Sequence, residues 1–452
     1  MTEPFNLRRA ARSIFDATLA QLDARRAVRR ALDFTDNRLT VIDTEFDLNS
    51  PQPPLAVYSV AIGKGAGGMA SALDEILGDA LAGGVVSAPP LLSVALSKRW
   101  QVFAGGHPLP NEASLAAARA AFALLQQADD ERALVIFLIS GGGSAMIEWP
   151  RDEAVTLAEL QEANRVLVSC GAGIDEVNAV RRAFSSVKGG GLSAHAGRAT
   201  QISLIISDTN RDEPYNVASG PTFTFPSESP DPWEIVNRYR LASSLPASVL
   251  RAVNHPQFDR SEMDQTVLRS HHILLDNNDA LERAAEVARA LGFRVEIARD
   301  VSEQPVEEGT DALVSRLFEL QSRARARGGQ RVCLISGGEF SCPVRGAGVG
   351  GRNAETILRC AIEVESHVAR FPAEATHIVA LSAGTDGIDG NSPAAGAWCD
   401  ETTLARGRAL SLDARNFLDT SDAHTFFAAL GDTITTGATG TNVRDLRLLL
   451  AE

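Results

Sequence analysis

The sequence predicts an α/β protein, and three observations predict it. Apolar runs of strand length alternate with alanine-rich helical stretches, several of those runs end in glycine-rich or acidic turns, and a chain of 452 residues with 44 % apolar and 22 % charged residues has enough material for two or three sizeable cores. In chain order, Glu3, Arg8, Arg9, Arg12 and Asp16 surround small apolar residues, the pattern of an amphipathic surface helix. It lacks the apolar core and cleavage site of a secretory signal, and its acidic residues count against a mitochondrial transit peptide. Strands follow at 56–62 and 133–139, both uninterrupted apolar runs suited to a sheet covered on both faces, then at 201–206, 332–335 and 378–381. Between and after them, helical spacing predicts helices over 69–77, 112–127, 156–170, 279–290, 311–327 and 354–364. Residues 436–445 read as a hydroxyl-rich turn capping a last helix. The Pro- and Ser-rich segment 221–232, a short helix and the polar stretch 256–265 break the alternation. They place a domain boundary near 245–270, with an N-terminal domain over 1–250 and a C-terminal domain over 266–452.

Composition excludes several functions. A net charge of -14 argues against a nucleic-acid binder, which needs a basic face. No apolar stretch approaches the roughly 18–20 residues that span a bilayer, so no membrane partner is expected. Five cysteines without metal-ligand or redox spacing point to a reducing cytoplasm. A homodimer is compatible with the sequence. Only three of the 43 basic residues are lysines, and two of these, Lys64 and Lys188, sit in glycine-rich turns. A compact ammonium that meets a phosphate as a point charge is not freely exchanged for a guanidinium, so both are candidate ligand contacts.

Five strand ends carry the candidate chemistry, because ligands of open α/β sheets bind outside the carboxyl ends of the strands. The first is Gly63-Lys64-Gly65-Ala66-Gly67-Gly68. It matches the Gly-x-Gly-x-x-Gly dinucleotide fingerprint, but no acidic residue for a ribose follows over 85–96, and Gly65 stands where a Walker loop needs Ser or Thr. The turn therefore serves either an anion or close helix–strand packing. The second, Ser140-Gly141-Gly142-Gly143-Ser144, reads as an anion-binding nest, favoured over a nucleophilic Ser144 because no Gly-x-Ser-x-Gly elbow is present. At the third, Glu339 ends a strand and the glycines before Arg352-Asn353 let backbone and guanidinium approach a carboxylate or phosphate together. The fourth, Gly384-Thr385-Asp386-Gly387-Ile388-Asp389-Gly390, has two carboxylates that can hold hydrated Mg²⁺, act as base or close an Asx-turn. Asp208, at its own strand end, could join them.

Together with Gly106-His107-Pro108-Leu109-Pro110, Asn178 to Arg181, Lys188-Gly189-Gly190, Ala218-Ser219-Gly220-Pro221-Thr222 and Thr439-Gly440-Thr441-Asn442, these turns resemble, from about residue 10 to the end, the ATP-dependent glycerate kinases of the glycerate 2-kinase type. The resemblance implies a Rossmann-like N-terminal domain, a MOFRL-type C-terminal domain and an active site in the cleft between them. It also implies transfer of the γ-phosphoryl group of ATP to the 2-hydroxyl of D-glycerate with Mg²⁺, small-molecule hydroxy acid and nucleotide being the partners. Lys64 and Arg352 are then the leading cations, with Asp208 and Asp386 as catalytic carboxylates and Asp386 and Asp389 as metal ligands. Gly63, Gly65, Ser140 to Ser144, Lys188, Glu339 and Asn353 would contact substrate or phosphate. The segment Thr209-Asn210-Arg211-Asp212-Glu213-Pro214-Tyr215-Asn216 departs from the apolar, Gly-Asp-Pro-containing continuation usual in that family, and Ala183 and Ala354 replace a usual His and Gln. A kinase for a related sugar acid is therefore an alternative, as are a nicotinamide-dependent hydroxypyruvate reductase and a non-catalytic sugar-acid-binding regulator.

Overall fold

The computed structural model describes residues 5–50, 54–90, 95–224, 230–254, 266–329, 331–371 and 377–452. They form two units, Asp23–Leu275 and Met1–Leu22 with Asp276–Glu452.

Within the first unit, an antiparallel meander of β1 (Leu32–Thr35), β2 (Arg38–Val41) and β3 (Thr44–Asp47) precedes a six-stranded, wholly parallel sheet. Its strands are β4 (Val57–Ile62), β5 (Leu81–Ala88), β6 (Trp100–Ala104), β7 (Leu134–Ser140), β8 (Thr200–Ile206) and β9 (Arg269–Leu275). The spatial order β6-β5-β4-β7-β8-β9 is that of a doubly wound Rossmann sheet and reverses between β4 and β7. Those two strands are buried along their whole length, which is why their sequences are uninterrupted apolar runs. Parallel pairing of Ile62 with Ile139 brings their carboxyl ends level, so the turns that follow them meet at the switch point where such folds bind ligands.

The second unit holds a mixed sheet of β10 (Arg294–Ile297), β11 (Val332–Ser336), β12 (Ile378–Gly384), β13 (Gly396–Asp400), β14 (Thr433–Ile434) and β15 (Asp445–Ala451), in the order β10-β11-β15-β12-β13-β14. Only β10 and β11 pair in parallel; β15 runs antiparallel between β11 and β12. The expected last helix is therefore a central strand. Seven consecutive buried residues fit a buried helix or a doubly covered strand equally well by pattern, and sheet neighbours on both edges decide for the strand.

Two expected domain assignments change. Helix Leu7–Leu19 belongs to the C-terminal unit, because Ile14 and Phe15 are wholly buried in one core with Leu281, Ala284, Leu381, Leu446 and Leu448. Each such side chain contributes roughly 1.5–3 kcal/mol by burial, and Arg8 adds an ion pair to Asp400 while stacking 3.7 Å from the centre of the Trp398 ring. Conversely, residues 269–275 extend the first sheet as β9, so the units divide at Leu275/Asp276. The polar stretch 256–265 and residues 225–229 of the Pro/Ser segment lie outside the described residues. No helix among the described residues is long and apolar enough to cross a membrane.

Candidate active site

In the N-terminal unit, the turns after β4 and β7 are stitched together. Gly63 N–H donates to Ser87 O (3.1 Å), Lys64 N–H to Gly141 O (2.9 Å) and Gly65 N–H to the Ser140 hydroxyl (2.9 Å), which donates in turn to Ile62 O (3.2 Å). Gly63 sits at φ +108°, and a Cβ there would lie 2.2 Å from Ser140 O, so only glycine allows this approach. Gly63, Gly65 and Ser140, expected on a phosphate, thus spend their polar groups inside the protein. The turn after β7 continues as Gly141, Gly142 and Gly143. Side chains converge there: a Cβ on Gly141 would meet Asp208 Oδ2 at 2.0 Å, and one on Gly142 would meet His107 Cδ2 at 3.1 Å and Lys64 Cγ at 3.2 Å. Lys64, His107 and Asp208 therefore surround one glycine turn. His107 was legible as part of a motif but its role was not, since only folding brings the loop after β6 to the turn after β7.

Ser144 is joined to a serine and asparagine chain. Its hydroxyl pairs with that of Ser219 (3.0 Å), which donates to Asn178 Oδ1 (3.0 Å). Ser219 lies in a run of three left-handed residues, Ala218, Ser219 and Gly220, at φ +51°, +61° and +65°. Two non-glycine residues in that region cost of order 1–3 kcal/mol each, and such strain gathers at functional turns. Lys188, expected to touch ligand, supports this turn from within. Its ammonium is ion-paired to Glu148, both side chains being 1 % exposed, and Glu148 also accepts from the Ser185 hydroxyl (2.5 Å). Gly189 and Gly190 donate to the carbonyls of Ser219 (3.2 Å) and Gly220 (2.8 Å). Burial lowers the Lys188 pKa and Glu148 opposes that shift. In the departing segment, the Thr209 hydroxyl donates to Glu213 O (3.0 Å), and Asn216 reaches Asp175 (2.6 Å).

In the C-terminal unit, Arg352 opens helix Arg352–Arg370. Its Nε donates to Asp445 Oδ2 (2.6 Å) and its Nη2 lies between Asp445 Oδ1 (3.2 Å) and Glu339 Oε1 (2.7 Å). Burial alone would lower its pKa, but Asp445 and Glu339 outweigh burial and raise it. Asp445 is wholly buried; burial would raise its pKa, yet Arg352 and Arg447 hold it below the usual range. Glu339 and Asn353, expected on substrate, instead hold this cluster, Asn353 donating to Asp445 (2.9 Å) and accepting from the Ser382 hydroxyl (2.5 Å). In the sequence Asp445 reads only as the end of the hydroxyl-rich turn 436–445, and Arg447 escaped notice; a lone Arg inside the apolar run 446–451 was the available signal.

Asp389 does not fit a metal. Its two oxygens accept the N–H groups of Asn353 (2.9 Å) and Ala354 (2.8 Å), capping the helix that carries Arg352. Asp386 accepts the N–H of Ile388 (3.1 Å) through one oxygen, and a Cβ on Gly384 would lie 3.0 Å from that oxygen and 3.6 Å from Asp445 Oδ1. Asp386 therefore borders the Arg352 cluster. Among the described residues no three His, Cys, Asp or Glu side chains gather as a metal site. Burial pushes the Asp389 pKa up from 3.8 to about 6, against the pull of the two N–H groups. A raised carboxyl pKa stabilises the fold below the unfolded value, and that contribution is lost as pH rises through about 6. The Tm advantage of the wild type over Asp389→Asn is therefore expected to widen between pH 7 and pH 5; a pH-independent difference in thermal melts would contradict this.

Residues 10–254 match the family described as Domain of unknown function (DUF4147), and residues 332–445 match the MOFRL family. The chain is 34 % identical to the glycerate kinase of Homo sapiens, over 97 % of this chain and 92 % of that one. It is 33 % identical to the D-glycerate 2-kinase of Thermotoga maritima, over 86 % and 89 % of the two chains. A protein of Agrobacterium vitis, 36 % identical over 86 % of this chain and 98 % of its own length, is named a putative hydroxypyruvate reductase. The crystal structure of a Thermotoga maritima glycerate kinase superimposes with a TM-score of 0.78 at 30 % identity, covering 99 % of this chain and 100 % of that one.

Proposed function

The chain belongs to the glycerate kinases of the glycerate 2-kinase type, and from that premise we propose that it transfers the γ-phosphoryl group of ATP to the 2-hydroxyl of D-glycerate, giving 2-phosphoglycerate and ADP. The observation that carries the reading is the convergence of Lys64, His107 and Asp208 around the Gly141-Gly142-Gly143 turn. Phosphoryl transfer is mostly positioning and charge neutralisation, and fixed N–H donors beside an ammonium supply both. Asp208 is the carboxylate assigned to the proton of the substrate hydroxyl as its oxygen bonds to phosphorus and the bond to the ADP oxygen breaks. Lys64 and Arg352 are assigned to the transferring phosphoryl group and the substrate carboxylate. Arg352 keeps Nη1 for this role, since its bonds to Asp445 and Glu339 use Nε and Nη2.

Mg²⁺ commonly keeps several waters and binds through one or two carboxylates plus substrate phosphates, where it offsets phosphate charge. Asp386 and Asp208 fit such a site singly; Asp389, whose two oxygens cap a helix, does not. The reductase reading has the glycine fingerprint in its favour. Against it, the N–H groups of Gly63, Lys64 and Gly65, which would face a pyrophosphate, already donate within the protein. A cytoplasmic location is supported by five cysteines that form no disulfide.

A ³¹P NMR time course with Mg-ATP and D-glycerate tests the assignment. The expected product is a phosphomonoester on the 2-oxygen, with ADP appearing in step. A 3-phosphate would keep the kinase and overturn its regiochemistry. Turnover only with a longer sugar acid would trace the substrate to segment 209–216, and no turnover with either would overturn the kinase.

A further inference from the structure

Arg447 is an expensive residue for a sheet core. It lies mid-way along β15 at 1 % exposure, and its Nε has no hydrogen-bond partner among the described residues. A buried cation costs several kcal/mol unless its partners are well placed, so what surrounds it shows what it does. Its Nη1 donates to Gly337 O and lies 3.3 Å from the Ser336 hydroxyl, its Nη2 is 3.4 Å from Gly338 O, and the guanidinium stacks 3.6 Å from the centre of the Phe340 ring. These partners are the turn that presents Glu339. Strand alternation puts residues 445 and 447 on one face, where Arg447 Nη2 approaches Asp445 Oδ2 at 3.5 Å. Both carboxylates that hold Arg352 are thus governed by Arg447, one through its backbone turn and the other by direct charge.

Charge decides why an arginine is needed. Arg352 alone between Asp445 and Glu339 would be a net-negative cluster, repelling the anion it is assigned to meet. Arg447 offsets that charge within the four groups, while Asp386 and Asp389 stay at their border. The nearby Arg444 does not supply this charge, being paired to Glu303 at 2.5 Å. Burial pulls the Arg447 pKa down to about 10, which leaves it protonated at neutral pH.

We infer that Arg447 is a positioning residue for Arg352: it fixes Asp445 and the Glu339 turn and balances their charge, so that Arg352 Nη1 can meet an anionic oxygen. The inference rests on the assignment of Arg352 in the kinase reading. Arg447→Met is expected to lower kcat by about 10–100-fold, the range typical of residues that orient a contacting group, while KM for glycerate and ATP stays within about threefold. Arg447→Lys should recover about tenfold of that loss. In an Arg352→Lys background, Arg447→Met should cost less than about threefold more, because coupled residues do not add. The Arg352 Nε–H resonance, assigned by its disappearance in Arg352→Lys, should shift in Arg447→Met and return toward the wild-type position in Arg447→Lys. Independent, multiplicative losses together with an unmoved resonance would overturn the inference. If Arg447→Met melts below the assay temperature, the same cycle with Arg447→Lys decides. The resonance reads Arg447 whether or not glycerate is turned over, so a wild type that fails to phosphorylate glycerate condemns the kinase reading alone.

Discussion

Lys64→Ala is expected to lower kcat for glycerate phosphorylation by about 10²–10³, the loss that follows removal of one preorganised charge-stabilising group. The backbone of Lys64 is held in place for this role. Its N–H is tied to Gly141 O at 2.9 Å, and its Cγ would lie 3.2 Å from a Cβ at Gly142, so the stem runs along the glycine turn. Alanine leaves that backbone bond intact, and the fold should survive with Tm unchanged within a few degrees. Lys64→Arg should recover little, because a planar fork does not replace a compact ammonium that meets a phosphate as a point charge. Arg352→Ala should cost a similar factor in kcat, with lower stability as well, because it uncovers the buried Asp445. Steady-state kinetics and a thermal melt on the same preparations separate the two cases. Near wild-type turnover in both alanine variants would remove the assigned cations from the reaction.

Lys188→Met is expected to act through the fold. Breaking a buried pair strands one charge, at about 3–5 kcal/mol, which for a unit of this size corresponds to roughly 10 °C in Tm. Glu148 would be that stranded charge, at 1 % exposure. Adding Glu148→Leu to Lys188→Met should restore most of the loss, since replacing both members removes the uncompensated carboxylate. Folded Lys188→Met should keep measurable kcat, lowered only as far as the Ala218-Ser219-Gly220 turn loosens. The opposite pattern, an unchanged melt with abolished turnover, would return Lys188 to the ligand, as its place in a glycine-rich turn first suggested.

The sequence carried the strands, the glycine turns and the half-buried Lys64 and Arg352, which the kinase reading assigns to the reaction. Each depends on local matters: an apolar run long enough to be buried as a strand, glycines in series, a basic residue at a helix entrance. Where it misled, the missing information was the partner. Lys188 and Lys64 look alike as lysines beside glycine, yet one meets Glu148 forty residues away and the other lies along Gly142. Asp386 and Asp389 sit three residues apart in one turn, yet both oxygens of Asp389 are taken by the N-terminus of helix Arg352–Arg370.

The same division runs through the whole molecule. By itself the sequence determined the α/β class, the alternation that builds the first sheet, and the family through turns whose order along the chain is specific. Only the tertiary structure decided that helix Leu7–Leu19 packs with the C-terminal unit, that 445–451 is a central strand, and that the N–H groups of Gly63 to Gly65 donate within the protein. The physical reason is that a backbone donor or a buried charge is available to a ligand only if no other part of the chain satisfies it. Those competing partners, Ser140 for Gly65 or Asp445 for Arg352, come from segments that the chain brings together only on folding.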